Sequence, residues 1–381
     1  MTLFLFPKGK IVGYREEQDD MVLFEDGVPD FVEATLESLY QCFTTTLVRF
    51  RQYYPIESAK TYVAYRDGKI VSMLLFRLEK EKIVVYNEQI HIPQNEIVRF
   101  ARNAFKRYPQ VRQLSFYAIE LDGDMLPFSH QRVECLEDIR MDLPGNAADY
   151  LASLGKKTAE TIRRAEKKLR RDYPSFKMQF YSGDKVAVED ILKIVTLSRR
   201  RIEAKGQGCY HTEESNRKLV ELVKRYGLVG VALVDNEVRG GIIQLRIGSH
   251  WYSHTVAHDP DFDAYRLGQL CNYFGVIETI AQGGTVFHFG WGRSDHKYRL
   301  GATNRDLFKL DIYNSPVALA IDCPNVIGRS LASHRRRFKL WVAENKNAGD
   351  TPAARTINYL RAARSFGTEA LRRLKPQQAA E

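Results

Sequence analysis

The segment Trp251-Tyr-Ser-His-Thr-Val-Ala-His-Asp-Pro-Asp-Phe-Asp-Ala-Tyr-Arg-Leu-Gly-Gln-Leu270 predicts a strand, a polar loop and the start of a helix. Regular strand alternation would divide its first residues between two faces: Trp251, Ser253 and Thr255 on one, and Tyr252, His254 and Val256 on the other. The first backbone N–H groups of a helix lack intrahelical partners and carry partial positive charge, so a phosphate fits beside Arg266-Leu-Gly268. A simple helix cap is the alternative for this triplet taken alone.

A second informative segment follows at the distance of one helix, and reads Val286-Phe-His-Phe-Gly-Trp-Gly-Arg-Ser-Asp-His-Lys-Tyr-Arg-Leu-Gly-Ala302. Its apolar strand ends in Gly290-Trp-Gly292, and a polar cluster containing Lys297 comes next. Proteins with α/β folds place ligands in the loops at strand ends. The two segments together therefore predict a ligand site.

The same order of elements occurs twice along the chain. In the first half, residues 61–76 predict a hairpin that turns at Asp67-Gly68. A strand (82–87), a helix (95–107) and another strand (114–119) follow. The second half repeats the order with strands at 228–234, 238–247 and 251–256, a helix with its lead-in at 265–282, and a strand at 286–289. The turns at Asp67 and Asp235 lie 168 residues apart. This recurrence favours two copies of one mixed α/β unit over one large sheet.

Basic segments surround the second copy. Residues 156–171 predict a helix with eight Lys and Arg residues, a thin apolar stripe of Ile162, Ala165 and Leu169, and an end near Asp172. A second helix, near 188–203, carries Arg199, Arg200 and Arg201. Residues 333–339 and 372–375 are basic and predicted to be helical, whereas residues 376–381 are predicted to be disordered. A solvated face is the ordinary interpretation of such charge, and contact with a ligand or partner is the alternative.

These segments resemble the GNAT acyltransferase superfamily. More narrowly, they are similar to the tandem branch often found with bacterial cellulose and exopolysaccharide genes, which is related to Fem-type peptidyltransferases. The resemblance covers about residues 150–312, and for the first half it rests on strand order alone. The matching positions are His258-Asp259-Pro260, Gly268-Gln-Leu270, Phe287-His-Phe-Gly-Trp-Gly292, Lys297, Gly301-Ala302 and the basic helix from Lys156.

The chain also departs from the pattern of that branch. The acidic position before the lysine is Ser294 here, with Asp295 one place later. The usual tyrosine position is His296, and Tyr298 follows the lysine instead. The phosphate loop is shorter than the glycine-rich loop of standard GNAT enzymes.

The resemblance implies an α/β (α+β) fold of two tandem GNAT-like domains, each with a mixed, mostly antiparallel sheet flanked by helices. We expect an N-terminal domain at 1–145, a C-terminal domain at 146–320 that holds the donor site, and a basic helical tail at 321–381. The tract 91–96 of the first half contains no glycine and has no matching phosphate loop. The first half is therefore expected to have lost its donor site and to shape the acceptor cleft.

The implied activity is transfer of an acyl group from acyl-CoA to an amine of a small acceptor, such as an amino sugar or amino acid. The resemblance also implies a role in cell-surface polysaccharide synthesis. The expected donor-binding residues are Thr255, Val256, Tyr265, Arg266, Leu267, Gly268, Gln269 and Leu270. No metal site is expected, since no group of His, Cys and carboxylates has suitable spacing.

Such a transfer needs a base and a group that stabilises the leaving thiolate. His254 is the first candidate for the base, because an imidazole titrates near neutrality. A core histidine hydrogen-bonded to backbone is its alternative. Asp295 and His296 are second choices, and a polar surface loop is the alternative for both. Tyr298 could donate a proton to the thiolate and Lys297 could supply charge, unless Lys297 only pairs with Asp295.

The composition fits a globular cytoplasmic protein. Hydrophobic residues make up 44% and charged residues 27%, while the net charge of +10 suits polyanionic ligands. Cys42, Cys135, Cys209, Cys271 and Cys323 are far apart, which favours a reducing compartment. The apolar run 1–6 is too short for a signal peptide, and no stretch is long enough for stable membrane insertion.

Two other functions remain compatible with the sequence. In one, the donor is an acyl-carrier protein or an aminoacyl-tRNA, and the basic helix 156–171 binds this polyanion. In the other, the chain is a non-catalytic binding module built from degenerate GNAT-like halves. A steep fall of activity with added salt would favour the carrier-protein or tRNA donor over acyl-CoA. Titration with CoA tests the binding-module function, since such a module need not bind CoA.

Overall fold

The computed structural model describes residues 14–17, 20–123, 125–204, 206 and 212–345. The predictions for residues 1–6, 372–375 and 376–381, and the position of Cys209, lie outside these residues. Within the described residues, Cys42, Cys135, Cys271 and Cys323 form no disulfide bond.

Fourteen strands are present in the described residues. They are β1 Tyr14–Glu17, β2 Asp20–Asp26, β3 Lys60–Arg66, β4 Lys69–Glu79, β5 Lys82–Val85, β6 His91–Ile92, β7 Gln113–Leu121, β8 Ser129–Asp142, β9 Lys177–Ser182, β10 Gly227–Val234, β11 Glu237–Ile247, β12 His250–His258, β13 Val286–His288 and β14 Thr303–Tyr313.

The described residues also form eleven α-helices. They are α1 Val32–Tyr40, α2 Leu47–Tyr53, α3 Gln94–Arg107, α4 Ala147–Ser153, α5 Lys156–Asp172, α6 Val188–Ala204, α7 Glu213–Tyr226, α8 Leu267–Ala281, α9 Asp295–Arg299, α10 Pro316–Ile321 and α11 Cys323–Asn345. Short 3-10 turns lie at Phe43–Thr45, Ile56–Ser58, Gly183–Lys185 and Pro260–Tyr265.

The predicted hairpins are confirmed, and their backbone angles explain them. Asp67 and Gly68 have φ of 50° and 72°, and Asp235 and Asn236 have φ of 52° and 61°. Two successive left-handed residues form the turn whose twist suits a two-residue hairpin, and Asp, Asn and Gly tolerate these angles best. The turns therefore fix the two equivalent hairpins, β3–β4 and β10–β11.

All fourteen strands belong to one mixed sheet, so the predicted mixed α/β architecture is confirmed. Its order is β1-β2-β3-β4-β5-β7-β14-β8-β13-β12-β11-β10-β9, and β6 pairs with β7 at the side. The sequence analysis favoured two repeated units over one large sheet, and the structure shows that these two descriptions do not exclude each other. The two repeats are both present, and their strands are hydrogen-bonded into one continuous sheet.

The repeats exchange strands at the centre of this sheet. Strand β14, from the end of the second repeat, pairs with β7 of the first. Strand β8, from the first half of the sequence, pairs with β13 of the second repeat. β8 and β14 also pair with each other along their length. Residues of the first sequence half therefore lie beside the second repeat.

Helices cover both faces of the sheet and form three apolar cores. The largest core joins α3, α6 and α7 to one face and spans both repeats. A second core lies under α5 and α8 in the second repeat, and a third lies under α1 and α2 in the first. The predicted stripe of α5 is buried in the second core through Ile162, Ala165 and Leu169, which confirms that amphipathic helix.

The contacts within the chain divide it into two compact units, and the boundary in the sequence lies between Asp322 and Cys323. The sheet and helices α1 to α10 belong to the first unit, and α11 belongs to the second. None of the helices in the described residues is sufficiently long and apolar to cross a lipid bilayer.

Candidate active site

Strands β12 and β13 separate partway along their length. They pair in parallel only where residues 250–252 lie beside residues 286–288. Strand β12 continues to His258. The chain after β13 pairs with β8 instead, since the Phe289 N–H donates to the Ile139 carbonyl (2.7 Å) and the Ile139 N–H donates to the Gly290 carbonyl (3.2 Å). The wedge between residues 253–258 and 289–292 is called the strand fork below. Both segments leave the same end of parallel strands, where α/β folds place ligands.

His254 is the extra residue of a β-bulge at this fork. The register of β12 against β11 pairs Thr255 with Ile243 and Ser253 with Gln244, so His254 has no opposite residue. It is exposed, and its Nδ1 lies 2.9 Å from the Thr255 hydroxyl oxygen. Bulges re-aim side chains and are common beside functional sites.

The bulge overturns the regular alternation expected for residues 251–256. Trp251 and Val256 both pack in the second core, although alternation predicted opposite faces. Tyr252 and Ala257 pack together in the largest core on the other face. One inserted residue reverses the facing of every later side chain in a strand, and this accounts for the error.

The predicted phosphate loop lies at the end of β12. Arg266 is exposed and left-handed (φ 54°), and it immediately precedes α8. Tyr265 and Gln269 are half-buried. Leu267 and Leu270 are fully buried in the second core, so only their backbone groups could face a ligand. The first turn of α8 therefore offers backbone N–H groups and the Arg266 side chain at the fork end of β12.

Gly268 packs directly against His258. A Cβ atom at this position would lie 2.6 Å from the His258 Nδ1 and 2.9 Å from its Cε1. The His258 Nε2 in turn lies 2.6 Å from a carboxylate oxygen of Asp263. The absence of a side chain at Gly268 thus lets α8 approach the last residue of β12.

Lys297 lies at the other arm of the fork, on the short helix α9. Its ammonium group donates to the backbone carbonyls of Trp291 (2.6 Å) and Gly290 (3.3 Å). Burial lowers the pKa of Lys297 to about 8, and the nearby Asp138 carboxylate partly opposes this shift. Asp295, His296 and Tyr298 on the same helix are exposed. Of the predicted α9 residues, Lys297 has the most strongly altered environment.

Residues 156–298 match the family model described as an acetyltransferase (GNAT) domain. This part of the chain is a GNAT domain. The match begins at α5, includes both arms of the strand fork and ends one residue after Lys297. It supports the predicted GNAT-type N-acyltransferase. No curated protein sequence matched the chain.

Solved structures with a related fold include FemX, which aligns over 77% of this chain and 98% of its own with a TM-score of 0.56 and 12% identity. L-PGS from Bacillus licheniformis aligns over 68% and 85% of the two chains (TM-score 0.43, 12% identity). A tandem GNAT protein from the clavulanic acid biosynthesis pathway aligns over 66% and 82% (TM-score 0.36, 11% identity). At 12% identity, the likeness to FemX concerns the fold.

Asp138 and His288 form a polar cluster at the base of the strand fork that the sequence analysis did not predict. The His288 Nδ1 lies 2.7 Å from the Asp138 carboxylate, and its Nε2 lies 3.3 Å from the Nδ1 of His250. Tyr252 stacks on the His288 ring at 4.2 Å. Burial and the neighbouring His288 lower the pKa of His250 to about 4. These side chains contact one another where β12 and β13 are still paired, at the base of the fork next to Lys297.

The position of Asp138 explains why no sequence motif indicated it. It belongs to β8, which precedes the matched GNAT segment and reaches the site only through the strand exchange. His288 lies within the quoted Phe287–Gly292 motif, and its presence there could have indicated this cluster from the sequence.

The first repeat closes the equivalent fork with its own backbone. Strands β5 and β7 pair in parallel, as β12 and β13 do. Beyond this pairing, the Gln89 N–H donates to the Ala118 carbonyl (2.7 Å) and the Glu120 N–H to the Ile90 carbonyl (2.9 Å). Strand β6 then continues the pairing with β7. Backbone hydrogen bonds therefore continue between these strands beyond the point at which the pairing of β12 and β13 ends.

The basic helix α5 lies beside the start of α8. The Lys168 ammonium is 4.6 Å from the centre of the Tyr265 ring, and the Tyr265 hydroxyl donates to Asp172 (3.2 Å). All eight basic residues of α5 are exposed: Lys156, Lys157, Arg163, Arg164, Lys167, Lys168, Arg170 and Arg171. Three of them pair with acids of the same helix. A positively charged surface therefore extends from α5 towards Arg266.

Proposed function

We propose that the chain transfers an acyl group from acyl-CoA to an amine of a small acceptor, with the donor's thioester arm in the strand fork. The observation that carries this proposal is the contrast between the two repeats. The fork beside Lys297 opens after three paired residues, whereas the equivalent fork of the first repeat is bridged by backbone hydrogen bonds. An extended chain such as pantetheine suits a gap between diverging strands, because it can hydrogen-bond their unpaired edges.

The residues around the fork suggest how the donor is held. The N–H groups of Leu267 and Gly268 and the guanidinium of Arg266 would bind the phosphates. The Gln269 N–H already donates to the Arg266 carbonyl (2.9 Å). Thr255 and Val256 flank the fork beyond the bulge and would contact the extended arm. The exposed basic side chains of α5 add positive potential on the approach to Arg266.

The chemical step requires one proton transfer and one leaving group. The acceptor nitrogen attacks the thioester carbonyl carbon, the C–N bond forms and the C–S bond breaks. His254 would take the proton released by the amine, with Asp295 and His296 as second candidates. The Lys297 ammonium would stabilise the departing thiolate, and Tyr298 is the alternative proton donor.

The acceptor would lie between the repeats. The first repeat, expected at 1–145, contributes β8 to the sheet next to the GNAT domain, and its closed fork leaves it available for binding the acceptor. The resemblance to the exopolysaccharide-associated branch favours an amino sugar or amino acid, and a role in polysaccharide synthesis.

Release of free CoA from a panel of acyl-CoAs, measured with a thiol reagent in the presence of amino sugars and amino acids, tests this proposal. We expect thiol release that depends on both substrates, and mass spectrometry should detect an acylated amine. Failure of every acyl-CoA to bind in calorimetric titration would reject acyl-CoA as the donor.

We predict that His254→Ala lowers turnover by about 100-fold, the lower range for loss of a general base, with donor affinity nearly unchanged. Steady-state kinetics and titration with CoA would measure the two effects. His334→Ala is a suitable control, because His334 is exposed on α11. Wild-type turnover in His254→Ala would transfer the role of base to Asp295 or His296.

The surface of α5 supports a second candidate, in which an acyl-carrier protein or an aminoacyl-tRNA is the donor. Its basic residues adjoin Tyr265 at the start of α8, and a polyanion would release counterions on binding there. For such a donor we predict a steep fall in kcat/KM between low and moderate salt, on the order of 100-fold, whereas free acyl-CoA should respond much less. Measuring kcat/KM across a salt series with each donor separates the two.

A further inference from the structure

Helix α11 presents an exposed apolar stripe that the proposed chemistry does not use. Ile327, Leu331, Phe338 and Trp341 have exposed fractions of 54%, 53%, 53% and 38%. Together with His334 they follow steps of four and three residues, so they lie on one side of the helix. The Phe338 and Trp341 rings stack at 5.9 Å and form one end of the stripe. Four large apolar side chains exposed along one helix side indicate an interaction surface.

Basic side chains border this stripe. Arg335 and Arg337 flank it at about 80° on either side, at roughly 100° of rotation per residue, and Lys339 lies slightly farther round. All three are exposed. Val326, Ser333 and Leu340 are half-buried and recur every seven residues on another side of the helix, about 120° from the stripe. The exposed stripe is therefore separate from the side formed by these three half-buried residues.

We propose that α11 binds the surface of an anionic lipid bilayer, with the stripe among the acyl chains and its arginines and lysine at the headgroups. Interfacial helices combine this apolar side with flanking Lys and Arg. Tryptophan favours the interface because its ring is apolar and its N–H is polar. A second copy of the helix fits less well, since pairing two stripes would bring the same cations together. A nucleic acid would contact the cations and leave the apolar stripe in water.

Full-length protein and sedimented vesicles test this proposal directly. We expect binding to vesicles of equal parts phosphatidylcholine and phosphatidylglycerol, and much weaker binding to phosphatidylcholine alone. The triple variant Arg335→Gln, Arg337→Gln, Lys339→Gln should lose roughly 100-fold in partition coefficient. The variant Leu331→Gln, Phe338→Gln should lose at least about tenfold.

Two controls remove the same charge, and the same two types of apolar residue, elsewhere in the chain. Lys69→Gln, Lys193→Gln, Lys224→Gln has the same net charge as the first variant, and Phe31→Gln, Leu192→Gln replaces exposed apolar residues of the first unit. Both should bind vesicles within about threefold of the wild type. Equal losses in controls and α11 variants would overturn the proposal, because net charge or general stickiness would then explain binding.

Two further results would also overturn it. One is equal binding to neutral and anionic vesicles. The other is a lipid-free oligomer that Leu331→Gln, Phe338→Gln dissociates while vesicle binding persists, since a second copy would then occupy the stripe. No measurement here depends on acyl transfer, so these outcomes are independent of the proposed reaction.

Discussion

Lys297→Met should lower kcat by about 100- to 1000-fold, the range seen when one preorganised donor to a developing negative charge is removed. The Lys297 ammonium is held at the fork by the carbonyls of Gly290 and Trp291. A partly buried cation interacts more strongly with a thiolate than an exposed one, because less water screens it. Methionine keeps the length of the side chain and removes the charge. Steady-state kinetics with a slow and a fast thiol leaving group would measure the loss, which should be larger for the poorer leaving group.

The pH dependence of the same step follows from the altered pKa. The pKa of Lys297 is about 8 in the folded protein, below its ordinary 10.5, so the group is mainly protonated at neutral pH and loses its proton above about 8. Activity that requires the ammonium should therefore fall as the pH rises through about 8. This alkaline fall should be missing from the residual activity of Lys297→Met.

The exposed Lys224 provides a matched control. Lys224→Met removes one positive charge from the surface and should keep both kcat and the alkaline fall. Activity of Lys297→Met within threefold of the wild type would show that Lys297 supports the Gly290–Gly292 loop and takes no part in the reaction. Activity that instead rises through pH 8 would make neutral Lys297 the base.

Gly268→Ala should destabilise the protein by about 1–3 kcal/mol, the usual cost of forcing an extra group into a packed contact. The new Cβ would lie 2.6 Å from the His258 Nδ1, closer than real contacts allow. The ring cannot easily move aside, since its other nitrogen lies 2.6 Å from the Asp263 carboxylate. Either the ring or the first turn of α8 must shift, so donor affinity should fall as well. Urea unfolding and titration with CoA would measure the two effects.

A double-mutant cycle separates this contact from a general effect on the helix. Shortening His258 to alanine removes the atoms that the new Cβ would meet, so adding Gly268→Ala to His258→Ala should cost less than about 0.5 kcal/mol. Gly145→Ala is the matched control, because nothing lies within 4 Å of its Cβ position. If Gly268→Ala is as mild as Gly145→Ala, or is equally costly without His258, the contact does not position α8.

The sequence predicted those features that depend on neighbouring residues. The turns at Asp67-Gly68 and Asp235-Asn236 require residues that tolerate left-handed angles, and the chain supplies them. Helix α5 follows from the spacing of Ile162, Ala165 and Leu169, and its predicted end near Asp172 is confirmed. The quoted motifs predicted a GNAT fold, and the family match covers the first of them completely and the second as far as Tyr298.

The face of each residue in β12 could not be predicted in this way. The alternation from Trp251 was continued to Val256, and a single bulge at His254 reversed it. A bulge depends on how the partner strand is registered, and β11 supplies that register from a separate part of the chain.

Local sequence was sufficient to predict the turns, the amphipathic helices and the repeated order of elements, because each depends on residues within a few positions of one another. The folded structure was needed to show that β8 and β14 exchange between the repeats and that Asp138 contacts His288 across 150 residues of sequence. It was also needed to show that backbone hydrogen bonds bridge the fork of the first repeat. Such pairings join segments far apart in the chain, and they are selected by the packing and hydrogen bonding of the whole sheet.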